Sequence, residues 1–208
     1  MPDLGRGFSP ARADCGYRAP LAPRLARPCS MVACGPVTRI VEIPAEPPSP
    51  DPGTRGERES LLGWLWYQRA SFARKCVGLT REQLIEMNIP PSRLSLLGLV
   101  RHLSEMERSH FRQGVGGEPL PPIYCTDSDP DGDFEGAATS DPDEAFAMWR
   151  RERDGADAAI SAIATLDQPG AGKGRSFRWS LMKIIAEYAR HNGHADLLRE
   201  RLDGTKSE

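Results

Sequence analysis

From about Arg55 to the C-terminus, apolar residues recur at intervals of three and four, the period of an α-helix. The first such segment runs from about Glu57 to Cys76. Leu61, Leu65, Phe72 and Cys76 share one face with Gln68 in its middle, and Gly78 ends the run. Thr80 opens a short helical turn in which Gln83 completes a capping-box pattern, and Pro90 and Pro91 break the chain. A second helix is predicted from about Leu94 to Gln113, with Ser92 as N-cap and Leu96, Leu99, Val100, Leu103 and Met106 as its apolar face. Gly114, Gly116 and Gly117 stop it. Asp141 caps a third helix, with Pro142 at its first position and Glu144 three residues on, that runs to about Leu166. The fourth runs from about Phe177 to Leu202 and is closed by Gly204. Its apolar face holds Phe177, Leu181, Ile184, Ile185, Tyr188 and Leu202. No strand pattern is present. The pattern predicts an all-α protein, a four-helix bundle with a long crossover loop, residues 115–141, between helices two and three.

Composition changes the picture at one end. Residues 1–54 hold 11 of the 19 prolines and show no helical period. Such a stretch buries too little apolar surface to offset the entropy of ordering, so it reads as a disordered extension ahead of a folded domain spanning 55–208. Proline interrupts its apolar run too often for a secretory signal, and Met31 offers an alternative start. Cys15, Cys29 and Cys34 lie there with no histidine among them, which argues against zinc. A net charge of −2 without a basic face gives no reason to expect nucleic acid. No run approaches the roughly 18 apolar residues of a membrane span. Five cysteines, an odd number and mostly outside the folded part, fit a reducing cytoplasm.

The candidate chemistry lies in the histidines. All four fall in two short segments, His102 and His110 in one and His191 and His194 in the other. Glu187, His191 and His194 recur at four and three residues, which on a helix keeps them within roughly 60° of one another. Two imidazoles and a carboxylate on one stripe can meet a divalent ion if another helix supplies a further ligand, and His102 is the candidate. The stripe borders the apolar face of helix four, so its carboxylate needs compensation. Spacing leaves two readings open: a metal, or a network of hydrogen bonds drawing on Arg101, Arg190 or Gln68. Gly193 in mid-helix suggests the close approach of a neighbouring helix or a ligand.

Other signals are weaker. His110 lies eight residues past His102, over roughly 10 Å along the helix, too far to share its ligand. Glu105 stands one turn past His102, where it can orient that ring or bind water. Asp127, Asp129 and Asp131 before Gly132 resemble the start of a calcium loop, but Ala138 stands at its twelfth position and Pro130 stiffens the turn. Cys125 has acidic neighbours that raise a thiol pKa. Trp64, Trp66, Trp149 and Trp179 read as core or pocket wall, with Trp64 or Trp179 a candidate to line the site.

Two segments, LGLVRHLSEMER on helix two and EYARHNGHADLLRE on helix four, resemble the DinB superfamily. The likeness is closest to its actinobacterial branch of largely uncharacterised, mini-circle-type proteins, related to thiol-dependent maleylpyruvate isomerases and bacillithiol-type S-transferases. It covers roughly residues 57–203 and includes the start of helix one, the PPSRLSLLG entry to helix two and the PPIYCTDSDPDGDF loop. The resemblance implies a divalent metal between helices two and four. It implies His102, Glu187 and His191 as ligands, with His194 behind them or as an optional fourth, and a crossover loop that packs across the bundle end and gates the pocket.

The same resemblance implies a metal-activated thiolate, hence a thiol S-transferase or a thiol-dependent isomerase acting on a small-molecule substrate. Mycothiol is the natural thiol if the source is an actinobacterium, and a homodimer is a further expectation. The residues suit zinc, nickel, iron or manganese alike. Two other functions stay open: a non-catalytic bundle that binds a small molecule or protein, and a metal-dependent hydrolase. Neither a Ser–His–Asp order nor a phosphate-binding glycine loop is present.

Overall fold

A computed structural model describes residues 40–41, 56–171 and 174–206. The chain divides into two units, Met1–Pro36 and Val37–Glu208, and all described residues belong to the second. Most of the 1–54 extension, with the disorder expected of it, lies outside the described residues. Within it, Val41 is buried and its N–H donates to the Leu79 carbonyl at 3.0 Å.

The described residues are all-α. Four long helices, α1 (Glu57–Cys76), α3 (Leu96–Glu107), α5 (Pro142–Ser161) and α6 (Phe177–Asp203), carry the core, and α2 (Arg81–Ile85) and α4 (Gly132–Glu135) are short. Helix α1 packs on α6, and α3 packs on both α5 and α6. None of these helices is long and apolar enough to cross a membrane. The ends follow local chemistry. Thr80 and Gln83 form the expected capping box of α2, and Gly204 closes α6 in the left-handed conformation at φ 77°.

Three boundaries differ from the sequence reading. Helix α3 is capped by Ser95, not Ser92: Ser95 is extended and its hydroxyl accepts from Gly98 N–H, while Ser92 accepts from Leu94 N–H in the preceding turn. Helix α5 stops at Ser161, short of Leu166, because the chain leaves it to join the entry of α6. There Arg178 N–H donates to the Leu166 carbonyl and Phe177 N–H to that of Gln168. The crossover loop is not wholly irregular, since it holds α4 and a 3₁₀ turn, Gly136–Thr139.

Helix α3 continues into a wider π-helical turn, Arg108–Gln113, where Gly114 and Gly116 donate five residues back to the Ser109 and Phe111 carbonyls. The wide turn brings two cations to one buried carboxylate on α5: Arg108 Nη2 lies 2.6 Å from Glu152 Oε1 and Arg112 Nη1 3.0 Å from Glu152 Oε2. Those arginines hold the Glu152 carboxyl below its ordinary value although burial pushes it up.

A second polar knot crosses the core. Arg69 of α1, fully buried, donates to both oxygens of Glu107 on α3 at 2.7 and 2.6 Å, and to Asp157 on α5 at 2.7 Å. Tyr188 of α6 donates to Glu107 at 2.7 Å and accepts from Trp149 Nε1 of α5 at 2.8 Å. One carboxylate and one guanidinium therefore touch all four long helices.

The crossover loop is tied to α3 at successive turns. Arg101 donates to the carbonyls of Gly132 and Asp133, both at 2.8 Å, and to Ser140 Oγ at 2.7 Å, and its guanidinium lies 3.8 Å over the Tyr124 ring. Glu105 Oε1 accepts three backbone N–H groups, from Ile123, Tyr124 and Cys125. Gly132 is required where the loop doubles back, because a Cβ there would sit 2.4 Å from the Tyr124 carbonyl oxygen.

Replacing Glu107 by Ala leaves the buried Arg69 with Asp157 alone as counter-charge, and the expected loss is about 3–5 kcal/mol of folding stability in a denaturant melt. The paired change Arg69→Met with Glu107→Leu is expected to recover most of that loss. Glu105→Ala is expected to speed amide hydrogen exchange at residues 123–125 while exchange in α6 stays slow. Unchanged exchange in the loop would show that Glu105 does not hold it.

Candidate metal centre

The seam between α3 and α6 brings together three side chains from two distant parts of the chain. One ligand atom from each of His102, Glu187 and His191 lies within 4.8 Å of the others. Glu187 and His191 are successive turns of α6, with His191 Nε2 3.4 Å from Glu187 Oε2. Across the seam, the rings of His102 and His191 meet edge to face with centroids 4.7 Å apart.

His102 is held by the loop. Its Nδ1 lies 2.8 Å from Asp133 Oδ2, and its ring stacks on Phe134 at 5.0 Å. Asp133 is itself 4% exposed and is anchored through its carbonyl to Arg101. A carboxylate on Nδ1 favours the tautomer with its proton there and leaves the lone pair on Nε2. That Nε2 is buried and has no hydrogen-bond partner.

The other two groups are in the protonation states a metal ligand needs. Burial, with the neighbouring His102 and His194, lowers the His191 pKa to about 4, so its ring is neutral at physiological pH. Burial opposes ionisation of Glu187, but Lys183 and then Arg190 outweigh it and hold its carboxyl below the ordinary value. Lys183 Nζ pairs with Glu187 Oε1, and Arg190 Nη1 lies 3.5 Å from Oε2. His194 is outside the trio, but its Nδ1 is 3.3 Å from His191 Nδ1.

Several sequence expectations change here. Glu105 does not orient His102, because its carboxylate is taken by the loop amides. Arg101 serves the loop, and Gln68 accepts from Asn192 at 2.6 Å, so neither satisfies the stripe, whereas Arg190 does reach Glu187. Gly193 marks no close approach, since a Cβ there meets open space. His110 stands apart and helps line a separate cavity with Trp179. Trp149 is core, whereas Trp64 and Trp66 lie on the surface of α1. Asp127, Asp129 and Asp131 are exposed and form no ligand cluster. Burial, then the Asp133 and Glu105 carboxylates, push the Cys125 thiol up, as its acidic neighbours suggested.

Asp133, Phe134 and Lys183 are the residues that sequence reasoning missed. Asp133 and Phe134 stand in the DGDF end of the loop, where alternate aspartates suggested calcium instead. Lys183 precedes Glu187 by one turn, a spacing that pairs opposite charges on any helix.

Comparison with curated proteins gives no match. The sequence model of the mycothiol-S-transferase family matches residues 60–204, from early in α1 to the residue that closes α6, and so includes every side chain of this site. That span agrees with the DinB resemblance of the same helices, and the chain belongs to the mycothiol-S-transferase family.

Proposed function

We propose that this chain is a divalent-metal-dependent thiol S-transferase whose metal is held by His102, Glu187 and His191. The observation that carries the reading is the buried, unpartnered Nε2 of His102, facing a neutral imidazole and an ionised carboxylate. A purely structural polar network would leave that nitrogen orphaned at a cost of about 1–3 kcal/mol. A metal ion makes use of it. The two nitrogens and one carboxylate oxygen suit zinc, nickel, iron or manganese.

A divalent ion bound by three protein ligands keeps open positions and lowers the pKa of a thiol that reaches it, which supplies a thiolate at neutral pH. The chain's own residues prepare that site. Asp133 keeps the Nδ1 proton of His102 and so aims the Nε2 lone pair into the seam. His194 does the corresponding work at His191 Nδ1. Phe134 covers one face of His102 and excludes water from it. Family membership supports a low-molecular-weight thiol as co-substrate, with mycothiol as the natural choice.

Metal content measured by mass spectrometry in untagged protein is expected to be near one per chain, and to be lost in Glu187→Gln and His191→Ala while the helical circular dichroism persists. Asp133→Asn is expected to weaken metal affinity by about 10- to 100-fold. Wild-type protein should consume mycothiol in the presence of an electrophile, and Glu187→Gln should not. Normal metal in both ligand variants would overturn the ligand assignment. No metal after incubation with zinc, nickel and manganese would favour the non-catalytic reading.

A further inference from the structure

The charges that touch the three ligands cancel. Glu187 and Asp133 bring two negative charges, and Lys183 and Arg190 bring two positive ones. Both cations bear on a single carboxylate: Lys183 Nζ pairs with Glu187 Oε1, and Arg190 Nη1 lies 3.5 Å from Oε2. A divalent ion at the trio therefore meets a carboxylate whose charge is already answered from within the chain.

The two cations differ in how closely they hold it. Arg190 is 59% exposed and stands off at 3.5 Å, so water screens much of its charge. Lys183 stands one turn before Glu187 on the same helix and makes a direct hydrogen bond, at 37% exposure against 6% for the carboxylate. Its ammonium sits on a flexible stem and can swing into water without any shift of α6. The pair has two consequences. A carboxylate this deeply buried is costly without a partner, so Lys183 supports the fold when no metal is bound. An ammonium and a divalent ion that share one carboxylate repel each other, and partial burial weakens the screening between them.

We propose that Lys183 is an internal counter-ion that competes with the metal for Glu187, stabilising the chain without metal and lowering the affinity with which the ion is held. This rests on the ligand assignment above and adds to it a residue that acts against binding. Asp133 and Lys183 each touch one ligand, yet their removal has opposite signs. Loss of Asp133 frees the His102 ring and weakens the site, whereas loss of Lys183 frees the Glu187 charge and strengthens it. A lysine whose role was to aim Glu187 into the seam would behave as Asp133 does, and its removal would loosen the metal.

Zinc titrated into the chelator-stripped full chain, in competition with a chromophoric chelator, tests this. Glu187→Gln is titrated beside it to mark any zinc bound elsewhere. Lys183→Met and the shorter, neutral Lys183→Gln are expected to bind zinc about tenfold more tightly than the wild type, and Lys183→Arg to lie near it. Without zinc the two neutral variants are expected to melt about 2–4 °C lower, and saturating zinc should shrink or reverse that deficit. Lys206→Met, beyond the end of α6, removes the same charge at a distance and should leave the affinity unchanged. Unchanged or weaker binding in both neutral Lys183 variants, beside a wild type that binds, would overturn the competition and leave the ligand assignment standing. Equal tightening in Lys206→Met would also overturn it, as an effect of net charge alone. A wild type with no Glu187-dependent zinc would take down both readings.

Discussion

A guanidinium with no access to water must find its counter-charge inside the protein, and the arrangement of the helices follows from where Arg69 finds it. Glu107 takes two of its donors and Asp157 a third, while Tyr188 donates to Glu107 and accepts from Trp149. Apolar packing alone tolerates small slides of one helix against another. A buried ion pair does not, because a shift of one residue leaves a charge with no partner and no solvent. The Arg69 knot thus sets the axial register of α1, α3, α5 and α6 in one place.

The chemistry borrows that register. His102 stands five residues before Glu107 on α3, and His191 three after Tyr188 on α6. Since Tyr188 donates to Glu107, the levels at which the two histidines face each other are fixed by a bond that neither of them makes. The second knot, Glu152 with Arg108 and Arg112, does the same for the separate cavity beside His110 and Trp179. It stabilises the π-helical turn whose side chains Ser109, His110 and Gln113 form one wall of the cavity.

Much of this was legible in the chain. The 3.6-residue period gave all four long helices, with α1 and the start of α6 placed as predicted, and Gly78 and Gly204 follow the ends of those two helices. The Glu187 and His191 spacing followed from the same period. What the period could not contain was the distance between helices. Asp133 reaches His102 from 31 residues further along the chain, and no local rule relates them. Glu105 was misassigned for the same reason: its position beside His102 was visible, and the three loop amides that claim it were not. The Ser92 error was local, a choice between two serines three residues apart that depends on which one adopts extended backbone. The π-helical turn depends on Glu152, 40 residues from Arg112, and leaves no periodic trace.

The way the crossover loop is fastened bears on how anything reaches the three ligands. Arg101, His102 and Glu105 lie within five residues of one helix, and each binds the loop through a different chemistry: a fork to carbonyls, a ring to a carboxylate, and a carboxylate to amides. A hinge that lifted this segment would have to break all three together, and one of the three is the side chain at the centre of the site. The loop is thus less a door than part of the wall. Whatever reaches the histidines does so with this segment in place, so the loop shapes the site by what it occupies and not by how it moves.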